Sequence, residues 1–391
     1  MDLLPTSLGT RPRLAVEIRP EGVVAARAED AQAIVSAVAF GELAEGVIVP
    51  ALKPGNIVAR AVAVAAVKKA LEAVALKERV TTLVVPDAAV RVLLLDFDTL
   101  PPKVSEALPV VRFRLKKLLP FDADEAVISY QVMSSDRSGV RVLAVAIPRD
   151  VLLEYESVVR EAGFEPGAVL PSTLSACSGM AEIDAAALLV NAGSSSVTTA
   201  IVQGGVLLLH RTVDLQAEGL HERMLAAALT AESVEPTLPL VDHESTAGEW
   251  AMQEPLNGYG VLDDSDISAE AAFRAQQLAH EIASEVMADP SVSLEIDVEA
   301  QKLSAVEREV TQAVSVAAAY FEDTLQMAPG VVLAAGTLGA HLLGGLLREA
   351  GFSEEEIRVR EMIEPAMLAA GASSTRVPPG WMAGVRGALR S

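Results

Sequence analysis

The chain has 391 residues, enough for two to three compact units at roughly 150 residues each. Apolar residues make up 51% and charged residues 21%, which excludes an intrinsically disordered chain. Acids outnumber bases 53 to 31, a formal net charge of −22, which argues against nucleic acid or a bare anionic membrane as partner. The acidity is local: residues 232–300 hold 16 acids and one base, Arg274. Cys177 is the sole cysteine, so a disulfide within the chain and a cysteine-based zinc site are both excluded. The five histidines show no metal-ligand spacing. The opening MDLLPTSLGTRPR lacks the pattern of a signal peptide, and the long apolar run from Val331 to Leu347 is broken by glycines and His341. The expectation is a soluble, reduced, cytoplasmic protein.

In chain order, Leu14–Ile18 and Val23–Arg27 flank a turn at Arg19-Pro20-Glu21-Gly22 and predict a β-hairpin. Residues 56–77 predict a helix with Val64, Val67, Leu71 and Val74 on its apolar face, and Thr82–Pro86 a buried strand. Residues 101–121 predict a second helix, stopped by Pro120, with the stripe Leu108, Val111, Leu115 and Leu118. Its Arg112, Arg114, Lys116 and Lys117 read as a solvated face or an ionic contact. Ala126–Met133 and Val140–Ile147 predict paired strands, and 150–162 a helix ended by Gly163. After the small-residue stretch Ser172–Gly179, a second hairpin follows: Ala187–Val190, a turn at Asn191–Ser196, Val197–Val202, the Gly204-Gly205 turn and Val206–Val213. Near the end, Val331–Ala335 predicts a strand, followed by Gly336–Gly339 and a helix with Leu342, Leu346 and Ala350 aligned.

Alternating strands and helices with a hairpin at the head of each half predict an α/β fold of two duplicated lobes. Three polar turns carrying glycine follow strands, at Arg19–Gly22, Asn191–Ser196 and Gly336–Gly339. Such turns let backbone N–H groups approach an anion.

The chain resembles the actin-like superfamily, and within it the PilM family of type IV pilus assembly proteins, with the cytoplasmic part of the type II secretion protein GspL as a relative. The resemblance rests on Leu100-Pro101, Lys117–Phe121, Asp124-Glu125-Ala126, Tyr130-Gln131-Val132 and Glu161–Pro166, with Gly193–Ser196, Arg211 and Ala335-Gly336. It implies an actin-like (ribonuclease H-like) two-lobed fold with a PilM-type extra subdomain. The expected divisions are an N-terminal arm at 1–12, lobe I at 13–180 with the extra subdomain at about 96–148, lobe II at 181–372 with an acidic insert at 232–300, and a flexible tail at 373–391.

The same resemblance places a nucleotide cleft at Glu17, Asn191, Gly193, Ser194, Ser195, Gly336, Thr337 and Gly339. The family's first phosphate turn carries an aspartate, a glycine, a serine and a lysine where this chain has Glu17, Arg19, Pro20 and Val24. The second loop's magnesium-orienting aspartate is Asn191, and the adenosine-side glutamate and arginine align with Ala313 and Val316. The expectation is a degenerate cleft, with ATP and magnesium bound weakly or not at all and no catalytic residue.

As to partners, the resemblance implies a groove of the extra subdomain that grips the N-terminal tail of a PilN-type inner-membrane protein, whose motif resembles Asn-Leu-Leu-Pro. Leu100, Leu115, Leu118, Phe121, Tyr130 and Val132 are the residues expected to line it. Such a protein works at the inner face of the inner membrane, and homo-oligomers are a further expectation. The chain's own Asp2-Leu3-Leu4-Pro5 resembles the ligand motif. Trp381, Val385 and Leu389 with Arg386 and Arg390 could form a short interfacial helix in the manner of FtsA. The alternatives are an active actin-like ATPase or kinase and an FtsA-like filament protein.

Overall fold

A computed structural model of the chain describes residues 12–29, 34–137, 139–180, 185–215, 290–352, 357–363 and 377–390, with side chains of the long helix described from Glu307 onward. Of two compact units, the larger joins Met1–Ser233 to Leu303–Ser391; the smaller, Val234–Lys302, contributes only the start of one helix to the described residues. Asp2–Pro5 and the spaced apolar residues from Ala271 to Val286 lie outside them.

Two five-stranded sheets share one topology. The first runs in the order β3-β2-β1-β4-β8, from β1 (Leu14–Arg19), β2 (Gly22–Ala28), β3 (Val35–Glu42), β4 (Val80–Val85) and β8 (Glu165–Pro171). The second runs β11-β10-β9-β12-β13, from β9 (Ala187–Ala192), β10 (Ser196–Gln203), β11 (Val206–Asp214), β12 (Val331–Gly336) and β13 (Arg358–Glu361). In each, a hairpin pairs antiparallel, and its first strand then takes a parallel neighbour: β1 beside β4, β9 beside β12. The duplication expected from the two hairpins is therefore present strand for strand. In these two sheets the sequence reading missed β3, β8 and β13, because Ala, Gly and Pro dilute the first two and β13 is only four residues long.

Helices α1 (Arg60–Val74) and α3 (Arg149–Glu161) cover one face of the first sheet, where Val67, Leu71, Tyr155 and Val159 meet Leu14, Val16 and Ile18. The long helix α5 (Pro290–Leu325) and α6 (Gly339–Glu349) cover one face of the second, where Val314, Phe321, Leu343 and Leu347 meet Leu188 and Val190. The expected stripe of α6, Leu342, Leu346 and Ala350, is off by one position: Leu343 and Leu347 are the buried pair. Gly339 opens that helix at φ +70°, a conformation that favours glycine.

The extra subdomain is the sheet β5-β7-β6, from β5 (Arg91–Phe97), β6 (Ala126–Asp136) and β7 (Gly139–Pro148), with α2 (Val104–Leu115) on it. Helix α2 ends at Leu115, not at Pro120 as expected. The residues that follow it form turns, so Leu118 leaves the apolar stripe and is 48% exposed.

Alternation along β1 and β9 decides what lies between the sheets. Leu14, Val16 and Ile18 face α1 and α3, so Ala15 and Glu17 face the other way; Leu188 and Val190 face α5, so Leu189 and Asn191 do the same. Two further segments fill this space. Helix α4 (Ser172–Ser178) is buried throughout, and the 3-10 turn Pro379–Met382 leads into α7 (Ala383–Leu389), also buried throughout.

That last segment corrects two expectations. Residues 377–390 are neither a flexible tail nor an interfacial helix: Trp381, Val385 and Leu389 belong to the central core. Trp381 is 1% exposed and meets Phe40 edge-on at 4.8 Å between ring centroids. Gly380, Gly384 and Gly387, which weaken a membrane helix, are what let this segment pack closely, Gly380 and Gly387 against other backbones and Gly384 against the Glu17 carboxyl. A Cβ at Gly387 would stand 2.5 Å from the Ser175 carbonyl carbon and one at Gly380 2.5 Å from the Gly336 oxygen.

Candidate functional site

The three glycine-bearing turns converge at one end of the space between the sheets. Thr337 N–H donates to the Ala192 carbonyl at 2.8 Å, which joins the third turn to the second. Gly336, at φ +85°, makes this approach possible, because a Cβ there would lie 2.7 Å from Asn191 Oδ1. The first turn meets the second through Glu21, whose Oε1 accepts the Ser194 N–H, and Glu21 is 1% exposed. Of the expected cleft residues, Glu17, Asn191, Gly193, Ser194, Gly336 and Thr337 are thus drawn into one region. Ser195 lies at the rim of an adjoining cavity, and Gly339 sits apart at the α6 N-terminus, where Glu361 accepts the Ala340 N–H at 2.6 Å.

Inside this region a chain of polar side chains runs from one sheet to the other. Arg19 pairs with Glu17 at 2.7 Å and donates to Ser172 Oγ at 3.0 Å and to Asn191 Oδ1 at 3.4 Å. Ser172 in turn donates to Glu17 at 2.6 Å. Asn191 Nδ2 donates to Ser172 and Thr173 hydroxyls at 2.9 Å each and toward Asp87 at 3.3 Å. Asp87 accepts both the Thr173 hydroxyl at 2.5 Å and its N–H at 3.1 Å. All six side chains are buried, none more than 6% exposed.

Burial pushes the Glu17 carboxyl above the ordinary carboxylate range, against the opposing pull of the Arg19 guanidinium and the Ser172 hydroxyl. Its second oxygen, Oε2, has no hydrogen-bond partner among the described residues and lies against Gly384 of α7. Burial, and then the nearby Asp87 charge, likewise push the Cys177 thiol up, so it is an inert core thiol. Among the described residues, no three His, Cys, Asp or Glu side chains are grouped to hold a metal.

Sequence reasoning missed Glu21, Asp87, Ser172 and Thr173 as members of this network. Ser172 and Thr173 lie in the small-residue stretch noted above, and Asp87 directly follows the buried strand β4 and Pro86; a buried-looking acid at a strand end was the available signal.

A cavity of about 770 Å³ opens beside the turns, lined by Ile48, Val49 and Leu52, Ala88 and Pro120, with Pro20, Ser194 and Ser195 at one end. The six expected groove residues are divided. Leu115 is fully buried in the core of the extra subdomain and cannot line a surface groove; its position on the inner face of α2 puts it there. Leu100, Phe121 and Tyr130 are half-buried against that core, while Leu118 and Val132 are exposed, at 48% and 43%. Pro120 is the residue of this stretch that reaches the cavity.

No family model matches the sequence, and no curated protein matches it. Among solved structures, the chain is similar to a chain of the PilM-PilN type IV pilus biogenesis complex, at 15% identity and a TM-score of 0.61, covering 97% of this chain and 98% of that one. It is more distantly similar to the ethanolamine utilization protein EutJ of Carboxydothermus hydrogenoformans, at 11% identity and a TM-score of 0.43 over 100% and 94% of the two chains. A third match is the cytoplasmic domain of EpsL from the type II secretion system of Vibrio cholerae, at 15% identity and 0.33 over 60% and 78%. These two add nothing to the assignment; the first, with the duplicated sheets, fixes the fold. The chain is a two-lobed α/β protein of the actin-like fold, built on the plan seen in the PilM-PilN complex.

Proposed function

We propose that this chain is a PilM-like scaffold, which holds the N-terminal tail of a PilN-type inner-membrane protein during assembly of a type IV pilus or a related secretion machine. The observation that carries the reading is the end-to-end fold match to a chain of the PilM-PilN complex. The cavity at Pro120 supports it, because an extended apolar tail with a proline fits a groove walled by Ile48, Val49 and Leu52. Through that partner the protein works at the cytoplasmic face of the inner membrane. Among the described residues no helix is long and apolar enough to cross a membrane.

The same reading includes a cleft that no longer serves a nucleotide, and the residues present do not fit one. Pro20 offers no N–H to a phosphate, and the Arg19 guanidinium is already engaged by Glu17, Ser172 and Asn191. Glu21 takes the Ser194 N–H that an incoming phosphate would need and sets a second acid at the same spot. Asn191 replaces a magnesium-orienting acid with a neutral amide already bonded to Ser172 and Thr173. Positioned donors and metal supply nearly all of the catalysis of phosphoryl transfer, so turnover is not expected.

A synthetic peptide beginning Asn-Leu-Leu-Pro tests the scaffold by fluorescence anisotropy. Saturable binding is expected, weakened about tenfold or more by Val49→Asp, since a charge in an apolar pocket removes a packed contact. A wild-type chain that does not bind the peptide refutes this reading. Calorimetry with Mg-ATP tests the cleft separately: binding in the low micromolar range would overturn its loss of nucleotide.

A further inference from the structure

The two hairpin tips pose a physical problem that their own residues answer. Within the turn Asn191–Ser196 the Gly193 N–H donates to the Ser196 carbonyl at 3.0 Å, and the Ser194 N–H is the donor that takes its acceptor from outside the turn. Where nothing else supplies it, an acceptor must come from the chain itself, or the buried donors stay unpaired at a cost. Glu21, at the tip of the opposing hairpin, reaches across and accepts the Ser194 N–H. Gly193 is small enough to allow it, because a Cβ there would lie 2.9 Å from Glu21 Oε1. Ser194 itself is 8% exposed, so solvent does not readily take over this role. Beside this contact, Arg19 spans the same gap in the same direction, from β1 to Asn191 at the end of β9.

We infer that the second turn is an anion cradle whose resident anion is the Glu21 carboxyl, and that Glu21 and Arg19 together latch the two sheets to each other without a ligand. The inference rests on the cleft reading given above and deepens it. The latch needs no phosphate because an acid and a guanidinium on one turn supply both halves of the bridge. The exchangeable ligand class for the cradle is a phosphate-like anion, and the way in is the cavity that Pro20, Ser194 and Ser195 line together with Lys53 and Arg91.

The test compares the full chain with Glu21→Ala and with Gly193→Ala, which leaves the acid in place but displaces its oxygen. Glu21→Gln keeps an acceptor oxygen and is expected to fall between the wild type and Glu21→Ala. Hydrogen–deuterium exchange is followed at Ser194, with Leu188–Val190 of β9 as the internal reference that only general unfolding would move. The Ser194 amide is expected to exchange about tenfold faster or more in both the Glu21→Ala and Gly193→Ala variants, the usual scale for a lost hydrogen bond to a charged group. Glu21→Ala, which removes the acid, is also expected to bind pyrophosphate, measured by calorimetry, more tightly than the wild type, whereas Gly193→Ala, whose methyl group takes up the space of the anion, is not. Unchanged Ser194 exchange in both variants, or no gain in pyrophosphate affinity in Glu21→Ala, overturns the inference. A wild type that binds Mg-ATP tightly overturns the cleft reading instead, and the exchange measurement still reports on the latch.

Discussion

Replacing Gly387 by Ala should be severely destabilising, although the same change in an ordinary helix helps. Alanine in a helix interior is favoured over glycine by about 0.5–1 kcal/mol. At Gly387 the new methyl group would meet the Ser175 carbonyl, with the carbonyl carbon 2.5 Å away and the oxygen nearer still, and Ser178 Oγ at 3.1 Å. The first two atoms are backbone of a buried helix and cannot rotate away, so α4 and α7 must separate. Overpacking of this kind costs about 1–3 kcal/mol and sometimes more. Separation also loosens Ser175 Oγ donating to Gly384 O at 2.7 Å and Ser178 Oγ donating to Gly387 O at 2.9 Å. Each is worth about 1 kcal/mol, so the cost is about 3–5 kcal/mol, or about 2–4 kcal/mol after the helix-propensity gain. Urea and thermal unfolding of the full chain measure it, with Gly345→Ala in α6 as the control, because nothing lies within 4 Å of a Cβ at Gly345. The control should gain about 0.5–1 kcal/mol. If Gly387→Ala is as stable as Gly345→Ala, the close helix crossing is wrong.

Three other outcomes follow from the same packing. Trp381→Ala should cost about 3–5 kcal/mol in urea unfolding, as expected for deleting a buried indole, and a loss under about 1 kcal/mol would contradict its place in the core. Because Trp381, Val385 and Leu389 are buried, truncation at Pro378 should lower the unfolding temperature and leave co-sedimentation with anionic vesicles unchanged; a specific loss of vesicle binding would revive the interfacial helix. His210 makes stability fall on the acid side. Burial holds its imidazole below the ordinary value of 6.5, so the unfolded chain takes up a proton first, and stability present above that value is lost as pH falls toward the folded one. His210→Gln should flatten that part of the pH–stability curve, and an unchanged slope would refute the assignment.

Much of the fold was legible because its signals are local. The hairpins at Leu14–Arg27 and Ala187–Val213 combine β-branched runs with turn residues, and both stand where expected. Helix α1 follows from its apolar spacing and α3 from its stop at Gly163. Four strands escaped, β3, β5, β8 and β13: β5 carries its own apolar run Val92–Leu95 and was passed over, whereas β8, with Pro166 and Pro171, is an edge strand paired only to β4, where missing N–H groups are tolerated. The expected groove residues came from the resemblance, which names positions along the chain and not their facing, and one of them, Leu115, lies on the inner face of α2.

Residue pattern alone pointed to the two hairpin-led halves, and the resemblance to a family added the extra subdomain and the departures at Glu17, Arg19, Pro20 and Asn191, because pattern and residue identity are properties of neighbours along the chain. What those residues do depends on contacts that exist only after folding. Glu21 and Ser194 are 173 positions apart, and their hydrogen bond exists because the two sheets face one another. The glycine-rich end of the chain reads as a frayed tail until α4 and Glu17 are seen against it. Small residues specify close approach without saying to what, so their meaning waits on the partner that folding brings.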